Sequence, residues 1–279
     1  MLKRTLMAVA AVLALAGCTS TAEPHLPASA SSETPAASAT PTPTPTPTPV
    51  VSTLSVGDCT GPVTPGSTDV TTTACSSAHY WEVFALVPLN TQVFPDGDLL
   101  ASTAKEGCLA AFTKYVGVEP SFSRYSAVYL VPDQAAWQDP GQRRIVCLAG
   151  SQQGGLKGSA KGDDALFPEV GECTGPQDVP VLEVAVIDCD SKHDYEVYAD
   201  KQIKTKKAPS DSELQKLLKD VCIAEFEDFV GVPVSKSKYE YSYFIAGSDV
   251  WKKVADHRLV CSVGSPKGGI EGSLKGVEK

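Results

Sequence analysis

Apolar residues in the last third of the chain recur at helical spacing behind a helix-start signal. They are Leu214, Leu217, Leu218, Val221, Cys222 and Phe226. Ser210 and Glu213 form a capping box directly after Pro209, and residues three or four apart lie on one face of a helix. The pattern predicts a helix that carries Cys222 on its buried face.

The same spacing occurs earlier in the chain, behind the N-cap candidate Asp96. Its apolar positions are Leu100, Ala104, Cys108 and Phe112. Runs rich in β-branched and aromatic residues predict strands around this helix. These runs are 80–87, 128–131 and 144–148, and each has a counterpart 114 residues later.

Matching segments at one fixed interval show that the chain contains an internal repeat. VGDCTG, CSSAHYWEVFA and GGLKGSAKG begin at Val56, Cys75 and Gly154, and their counterparts VGECTG, CDSKHDYEVYA and GGIEGSLKG each begin 114 residues later. The register predicts two domains, copy one over 54–163 and copy two over 168–279. Each is expected to be α+β, a small antiparallel sheet with one packed helix and two disulfides.

The N-terminus has the features of a lipoprotein signal peptide over residues 1–17. Lys3 and Arg4 precede a short apolar run, and LAGC ending at Cys18 resembles the lipobox of bacterial lipoproteins. That resemblance implies a diacylglycerol on the Cys18 thiol, and two acyl chains anchor a protein stably to a membrane. The alternative is an ordinary signal peptide. The chain is therefore expected on the extracytoplasmic face of the cell membrane.

Residues 18–53 form a disordered linker in this interpretation, because Ser, Thr, Ala and Pro dominate them. The run TPTPTPTPTP from Thr40 to Pro49 favours an extended spacer.

Eight of the nine cysteines remain once Cys18 is assigned to the lipid, four in each copy. Outside the cell this number predicts two disulfides per copy, and three pairings are open in each. We favour pairing near neighbours in a hairpin and the helix with a late strand. The favoured pairs are Cys59–Cys75, Cys108–Cys147, Cys173–Cys189 and Cys222–Cys261.

The repeated pattern CxxxHxxEV combines a thiol, an imidazole and a carboxylate, which also serve as nucleophile, base or zinc ligand. On an extended strand, however, His79 and Glu82 point to opposite faces, and Cys75 has a disulfide partner. We therefore interpret the pattern as scaffold and expect no metal or cofactor. Ligand or metal binding at His79 and His193, and catalysis, are the alternatives.

Two further features are candidates for chemistry. Trp137 and Trp251 precede a strand in each copy, and either cap the core or form an exposed platform for a sugar or peptide. The GGLKGS run at Gly154 is expected to be a flexible glycine turn near the end of the domain. The chain lacks a GxSxG elbow, and we do not expect an enzyme.

A formal net charge of −9 argues against a nucleic-acid partner. Copy two nevertheless contains the basic run KQIKTKK from Lys201 to Lys207. We interpret it as a solvated loop, with contact to anionic lipid or a wall polymer as the alternative.

Taken together, the motifs resemble the septum formation domain family of actinobacterial envelope proteins. The shared features are VGDC, CxxxHxxEVFA, a cysteine-bearing helix, a tryptophan loop, RRIVC and GSxKG. Copy two departs with IAGSDVW in place of VPDQAAW, and with residues 255–257 in place of Gly-Gln-Arg.

The resemblance implies an envelope location and a link to cell division. We expect a lipid-anchored pair of binding modules that contact another envelope protein or a wall component. A wall-modifying hydrolase and a metal-binding or redox lipoprotein are the alternatives.

Overall fold

A computed structural model of the chain describes residues 51, 53–64, 69–177 and 184–278. These described residues all belong to one compact unit. The predicted signal peptide, the lipidation site at Cys18 and nearly all of the linker lie outside them. Within this part of the chain, no helix has both the length and the apolar character needed to cross a membrane.

Copy one is a five-stranded antiparallel sheet with one long helix packed on it. The strands are β1 (Cys59–Thr60), β2 (Thr72–Thr73), β3 (Trp81–Pro88), β4 (Ser126–Leu130) and β5 (Arg144–Gly150), in the spatial order β2-β1-β3-β5-β4. Helix α1 spans Gly97–Val116 between β3 and β4.

Copy two repeats this architecture. Its strands are β6 (Cys173–Thr174), β7 (Val186–Ile187), β8 (Tyr195–Gln202), β9 (Glu240–Phe244) and β10 (Arg258–Gly264), in the order β7-β6-β8-β10-β9. The helix runs as α2 (Asp211–Leu217), a π-helical turn (Leu218–Ile223) and α3 (Ala224–Val230). The predicted α+β fold with two antiparallel sheets is confirmed.

The helix ends follow from local chemistry that the sequence already contained. The Asp96 side chain accepts a hydrogen bond from Leu99 N at 2.8 Å, and Glu213 accepts from Ser210 N at 2.8 Å. Both caps satisfy backbone donors of a first turn. Gly117 ends α1 at φ 108°, a left-handed conformation that favours glycine.

All four disulfides of the favoured pairing are present. Cys59–Cys75 and Cys173–Cys189 have Cα–Cα distances of 5.2 Å, and they tie β1 and β6 to the turns that precede β3 and β8. Cys108–Cys147 and Cys222–Cys261, at 5.6 and 5.3 Å, pin each helix to its sheet. The two copies are therefore cross-linked in the same way.

The sheet of copy one is apolar on both faces. Phe84, Ile145 and Cys147 pack against α1, while the next residues along the strands form the opposite face, called here the far face. In copy one the far face consists of Trp81, Val83, Leu130, Val146 and Leu148, with Val51, Leu54 and Val70 packed on it. Alternation of side chains along a strand produces this division.

Candidate functional site

The histidine of the repeated pattern lies inside the fold in both copies. His79 is 3% exposed and His193 is 1% exposed. Each ring places Nδ1 at 2.9 Å from a backbone carbonyl two residues earlier, Ser77 O and Ser191 O. Since a carbonyl only accepts, Nδ1 donates. The imidazole therefore holds the turn between the cysteine and the strand.

Backbone bonds fasten the same turn to the end of its copy. His79 N donates to Leu156 O at 3.0 Å, and Leu156 N returns the bond to His79 O at 3.2 Å. His193 and Ile270 exchange the same pair of bonds in copy two. The histidine segment thus pairs with the segment just before GSxKG.

The glutamate of the pattern is buried and grips the GSxKG segment. Glu82 accepts hydrogen bonds from Ser159 Oγ at 2.7 Å and from Ala160 N. In copy two Glu196 accepts from Ser273 Oγ at 2.7 Å and from Leu274 N at 2.6 Å. We call this arrangement the glutamate clasp. Ser159, at the end of the GGLKGS run, is therefore held by a side-chain hydrogen bond.

Copy one adds a third bond to its clasp. Tyr115 OH donates to Glu82 Oε1 at 2.7 Å, whereas the equivalent residue of copy two is Phe229. Burial, and then the hydrogen bond and charge of Glu82, raise the pKa of Tyr115 to about 12. The phenol consequently remains a donor at any physiological pH.

With these contacts each Cys, His and Glu of CxxxHxxEV makes at least one structural contact in the protein, while His193 Nε2 is buried without a hydrogen-bond partner among the described residues. Cys75 and Cys189 are in disulfides, the histidines bind carbonyls, and the glutamates bind the clasp. Among the described residues, no three or more His, Cys, Asp or Glu side chains are arranged to hold a metal ion.

The two tryptophans are core residues, so the alternative of an exposed aromatic platform is wrong. Trp137 is 0% exposed and Trp251 is 1% exposed. Phe94 meets Trp137 edge-on at 5.3 Å, and His257 stacks on Trp251 at 4.2 Å. Large apolar area drives both rings inward.

The departure of copy two near this tryptophan preserves one contact. Arg143 Nε donates to Trp137 O at 2.9 Å in copy one. His257 Nε2 lies 2.6 Å from Trp251 O and donates to it. Arg143 and His257 therefore donate equivalent hydrogen bonds to the tryptophan carbonyl at equivalent positions.

A groove of about 340 Å³ opens over the far face of copy one. It is lined by Pro62, Val63, Tyr80, Trp81, Val128, Tyr129, Leu130 and Gln152. None of these side chains is charged, and Tyr129 at its rim is 41% exposed. The groove also lies along β4, the last strand of its sheet.

Copy two replaces this apolar lining with polar side chains. Gln177, Asp194 and Ser242 stand where copy one has Val63, Tyr80 and Val128. The Gln177 amide bonds to Ser262 Oγ at 2.9 Å and to Thr174 Oγ1 at 3.1 Å, so it lies over the far face of copy two. Residue 262 is itself a serine in place of Leu148.

Two arginines, buried Arg124 and half-buried Arg258, connect the segment between the copies to each of them. Arg124 of copy one contacts Asp163 at 3.2 Å and Glu172 of copy two at 2.5 Å. Burial alone lowers the pKa of Arg124, but Glu172, Tyr125 and Asp163 outweigh it and the net change is upward. This ion pair links the two copies directly.

Arg258 of copy two binds the connecting segment from within copy two. It contacts Asp256 at 2.9 Å and Asp200 at 3.0 Å, and it donates to Phe167 O at 3.1 Å. Asp256 also accepts from Leu166 N and Phe167 N at 3.0 and 3.2 Å. The connecting segment is therefore held by side chains from both copies.

A family model described as septum formation matches residues 56–261. The match runs from the VGDC segment of copy one to the last cysteine of copy two, so it includes the first sheet and all of the second except the last three residues of β10. No curated protein and no solved structure matches the chain significantly.

Proposed function

Because the chain belongs to the septum formation family, we propose that it is a lipid-anchored, extracytoplasmic and non-catalytic binding protein that acts in septum formation. The family supports the role in septation. The LAGC segment at Cys18 supports the anchor. Four disulfides support a location outside the reducing cytoplasm.

The non-catalytic part of the proposal is supported by how the reactive residue types are used. Cys75 is oxidised, His79 donates to a carbonyl, and Glu82 binds a serine hydroxyl and a backbone N–H. A general base or nucleophile has to reach a substrate. These side chains instead hold their own fold together.

The groove on copy one carries the proposal that the chain binds a partner. An uncharged, partly aromatic groove on a small extracellular domain marks an interaction site. Because it runs beside an edge strand, it suits an extended chain that adds main-chain hydrogen bonds to the sheet. The partner feature we propose is an uncharged, apolar extended segment of another envelope protein.

The test uses the residues that copy two has at the same positions. Val63→Gln combined with Val128→Ser gives the groove the polar lining of copy two, at two half-buried sites. In a deletion strain, we expect this variant to accumulate normally but to leave cells long and poorly septated. Crosslinking in intact cells is expected to lose the adduct seen with the unaltered chain.

The matched control makes the reciprocal change, Gln177→Val with Ser242→Val, and should restore division. If the groove variant also restores normal septum spacing, the groove is not the partner site. If deletion itself leaves division unchanged, the septation role is excluded.

The anchor is tested separately. Cys18→Ser should abolish labelling by a palmitate analogue and make membrane association sensitive to high salt. Labelling that persists after this change would contradict lipidation at Cys18.

A further inference from the structure

Two loops meet at one end of the copy two sheet. One follows β8 and the other precedes β10. Ile203 N donates to His257 O at 3.0 Å, and Trp251 Nε1 donates to Thr205 O at 3.2 Å. Because Trp251 is packed in the core, this junction is fixed to the fold.

Exposed lysines surround the junction. They are Lys204, Lys206, Lys207, Lys252 and Lys253, and together we call them the basic end. Each lies within two positions of Thr205 or Trp251 in the sequence. Five exposed lysines therefore flank one hydrogen-bonded contact along the chain.

Nearby carboxylates offset only part of this charge, although Arg258 alone is shared by Asp256, Asp200 and Glu169. Asp200 and Asp256 are paired with Arg258, and Glu213 accepts from Ser210 at the helix cap. Asp249 and Asp211 are exposed. Glu119 of copy one borders, together with Lys253, a cleft of about 610 Å³.

Copy one has the same junction without the lysines. Leu89 N donates to Arg143 O at 2.7 Å, so the two loops meet there as well. The residues equivalent to the five lysines are Asn90, Gln92, Val93, Gln138 and Asp139. The fold therefore does not require the positive charge.

We propose that the basic end docks on an anionic phospholipid surface. Clusters of four to eight basic residues bind anionic membranes through their summed charge. Lysine suits this role because its ammonium is a hydrated point charge that needs no fixed geometry. The surrounding chain is acidic overall, with a net charge of −9, so the basic end also orients copy two toward such a surface.

A membrane is favoured over a soluble polyanion by the position of the lysines and by the proposed anchor. The lysines lie on two loops at one end of a sheet, which suits a planar surface. A lipid at Cys18 would keep the basic end near a bilayer at high effective concentration. Docking itself does not require that anchor, and it is tested without it.

The experiment uses the full chain with Cys18→Ser, so that no acyl chain contributes. It is mixed with vesicles of phosphatidylcholine alone or of phosphatidylcholine with phosphatidylglycerol, and binding is measured by co-sedimentation. We expect binding only to the anionic vesicles, with loss at high salt. Changing all five lysines of the basic end to glutamine should weaken it by about a hundredfold or more.

A control variant removes the same charge from elsewhere in copy two. It carries glutamine at the exposed positions Lys216, Lys219, Lys236, Lys267 and Lys275. We expect it to bind anionic vesicles nearly as well as the unaltered chain. Both variants should keep the thermal midpoint of the parent.

Three outcomes overturn the proposal. Equal loss in both variants would show that only net charge matters. No binding to anionic vesicles would exclude a lipid surface, and binding to inorganic polyphosphate in its place would assign the lysines to a soluble polyanion. Since Cys18 is replaced and the groove is unaltered throughout, these outcomes are independent of the anchor and of the partner groove.

Discussion

Copy one and copy two share a fold but differ in the two surfaces that they expose. Copy one has an apolar groove on its far face, where Val63 and Val128 line the opening. Copy two covers that face with Gln177, which bonds to Ser262. At the loop end the contrast reverses, because copy two has five lysines where copy one has none.

The residues that the copies share are mainly the ones that build the domain. Both have the same two disulfides, the same histidine bonded to a carbonyl, and the same glutamate clasp. The scaffold is therefore common to both copies, whereas the exposed surfaces differ. Each copy is therefore expected to contribute its own contact rather than to double a single one.

The largest expected effect breaks the link between the copies. Arg124→Met removes the cation between Asp163 and Glu172 and leaves two carboxylates partly buried without it. Loss of one member of a buried ion pair costs about 3–5 kcal/mol. We expect urea unfolding to show this loss and to become two transitions.

The control for that change is the equivalent residue of copy two. Lys238 is exposed, and Lys238→Met should change the free energy of unfolding by less than about 0.5 kcal/mol. Equal effects of the two substitutions would contradict the assigned role of Arg124.

A second change tests whether the copies are equally dependent on their helix disulfides. Cys108–Cys147 and Cys222–Cys261 each close a separation of 39 residues. The chain-entropy model gives about 4 kcal/mol for a loop of this size. We expect paired alanine variants in either copy to lose similar amounts in chemical unfolding. A loss confined to one copy would show that the scaffolds are not equivalent.

A third prediction concerns acid, and only copy two has the titrating group. Burial alone raises the pKa of Asp256, but hydrogen bonds from Arg258, its charge, and the N–H of Leu166 outweigh it, so the net pKa is lowered. Because the pKa of Asp256 is lower in the folded state, its carboxylate stabilises the fold at pH values above the unfolded-state pKa of about 3.9. This stabilisation is lost as the pH falls further. The equivalent residue of copy one is Gln142.

Asp256→Asn should therefore cost about 2 kcal/mol at neutral pH and flatten the decline of stability below about pH 4. Unfolding curves over a pH series measure both. Asp249→Asn, at an exposed site in the same loop, controls for the loss of one negative charge. If the stability of Asp256→Asn declined below about pH 4 as steeply as that of the unaltered chain, Asp256 would not be the titrating group.

Periodicity and repetition made much of this fold predictable. The spacing of Leu100, Ala104, Cys108 and Phe112 predicted α1, and its buried face is the one observed. The interval of 114 residues assigned four cysteines to each copy. Near-neighbour pairing then sufficed, because local hairpins and one helix against one strand leave few geometric choices.

The glutamate clasp was not predictable from strand parity. Alternation assigns Glu82 to a face but does not say which distant residue it meets, and Ala160 lies 78 positions away. The two motifs do recur together in both copies, and that joint recurrence was the available signal. The sequence also predicted a regular strand here, whereas β3 has a register shift against β5 between Val83 and Ala85.

The groove was missed for a different reason. Val63 and Val128 look like ordinary apolar residues in a sequence, and their exposure depends on what covers them. Only the folded chain shows Gln177 over one far face and, as far as the described residues extend, an open groove over the other. Surfaces created by the absence of a cover carry no periodic signature.

The smallest effect is expected from exchanging the residue in which the two glutamate clasps differ, Tyr115 in copy one and Phe229 in copy two. Tyr115→Phe removes the third hydrogen bond to Glu82 and gives copy one the side chain that copy two has at Phe229. A neutral donor to a charged acceptor contributes about 1.5 kcal/mol or somewhat more. We expect a loss of that size by thermal unfolding.

In the reciprocal variant, Phe229→Tyr should gain up to about 1 kcal/mol if its hydroxyl reaches Glu196. A loss in the first variant with a gain in the second would show that the clasps are interchangeable and differ by one bond. No loss in Tyr115→Phe would mean that Ser159 and Ala160 alone hold Glu82.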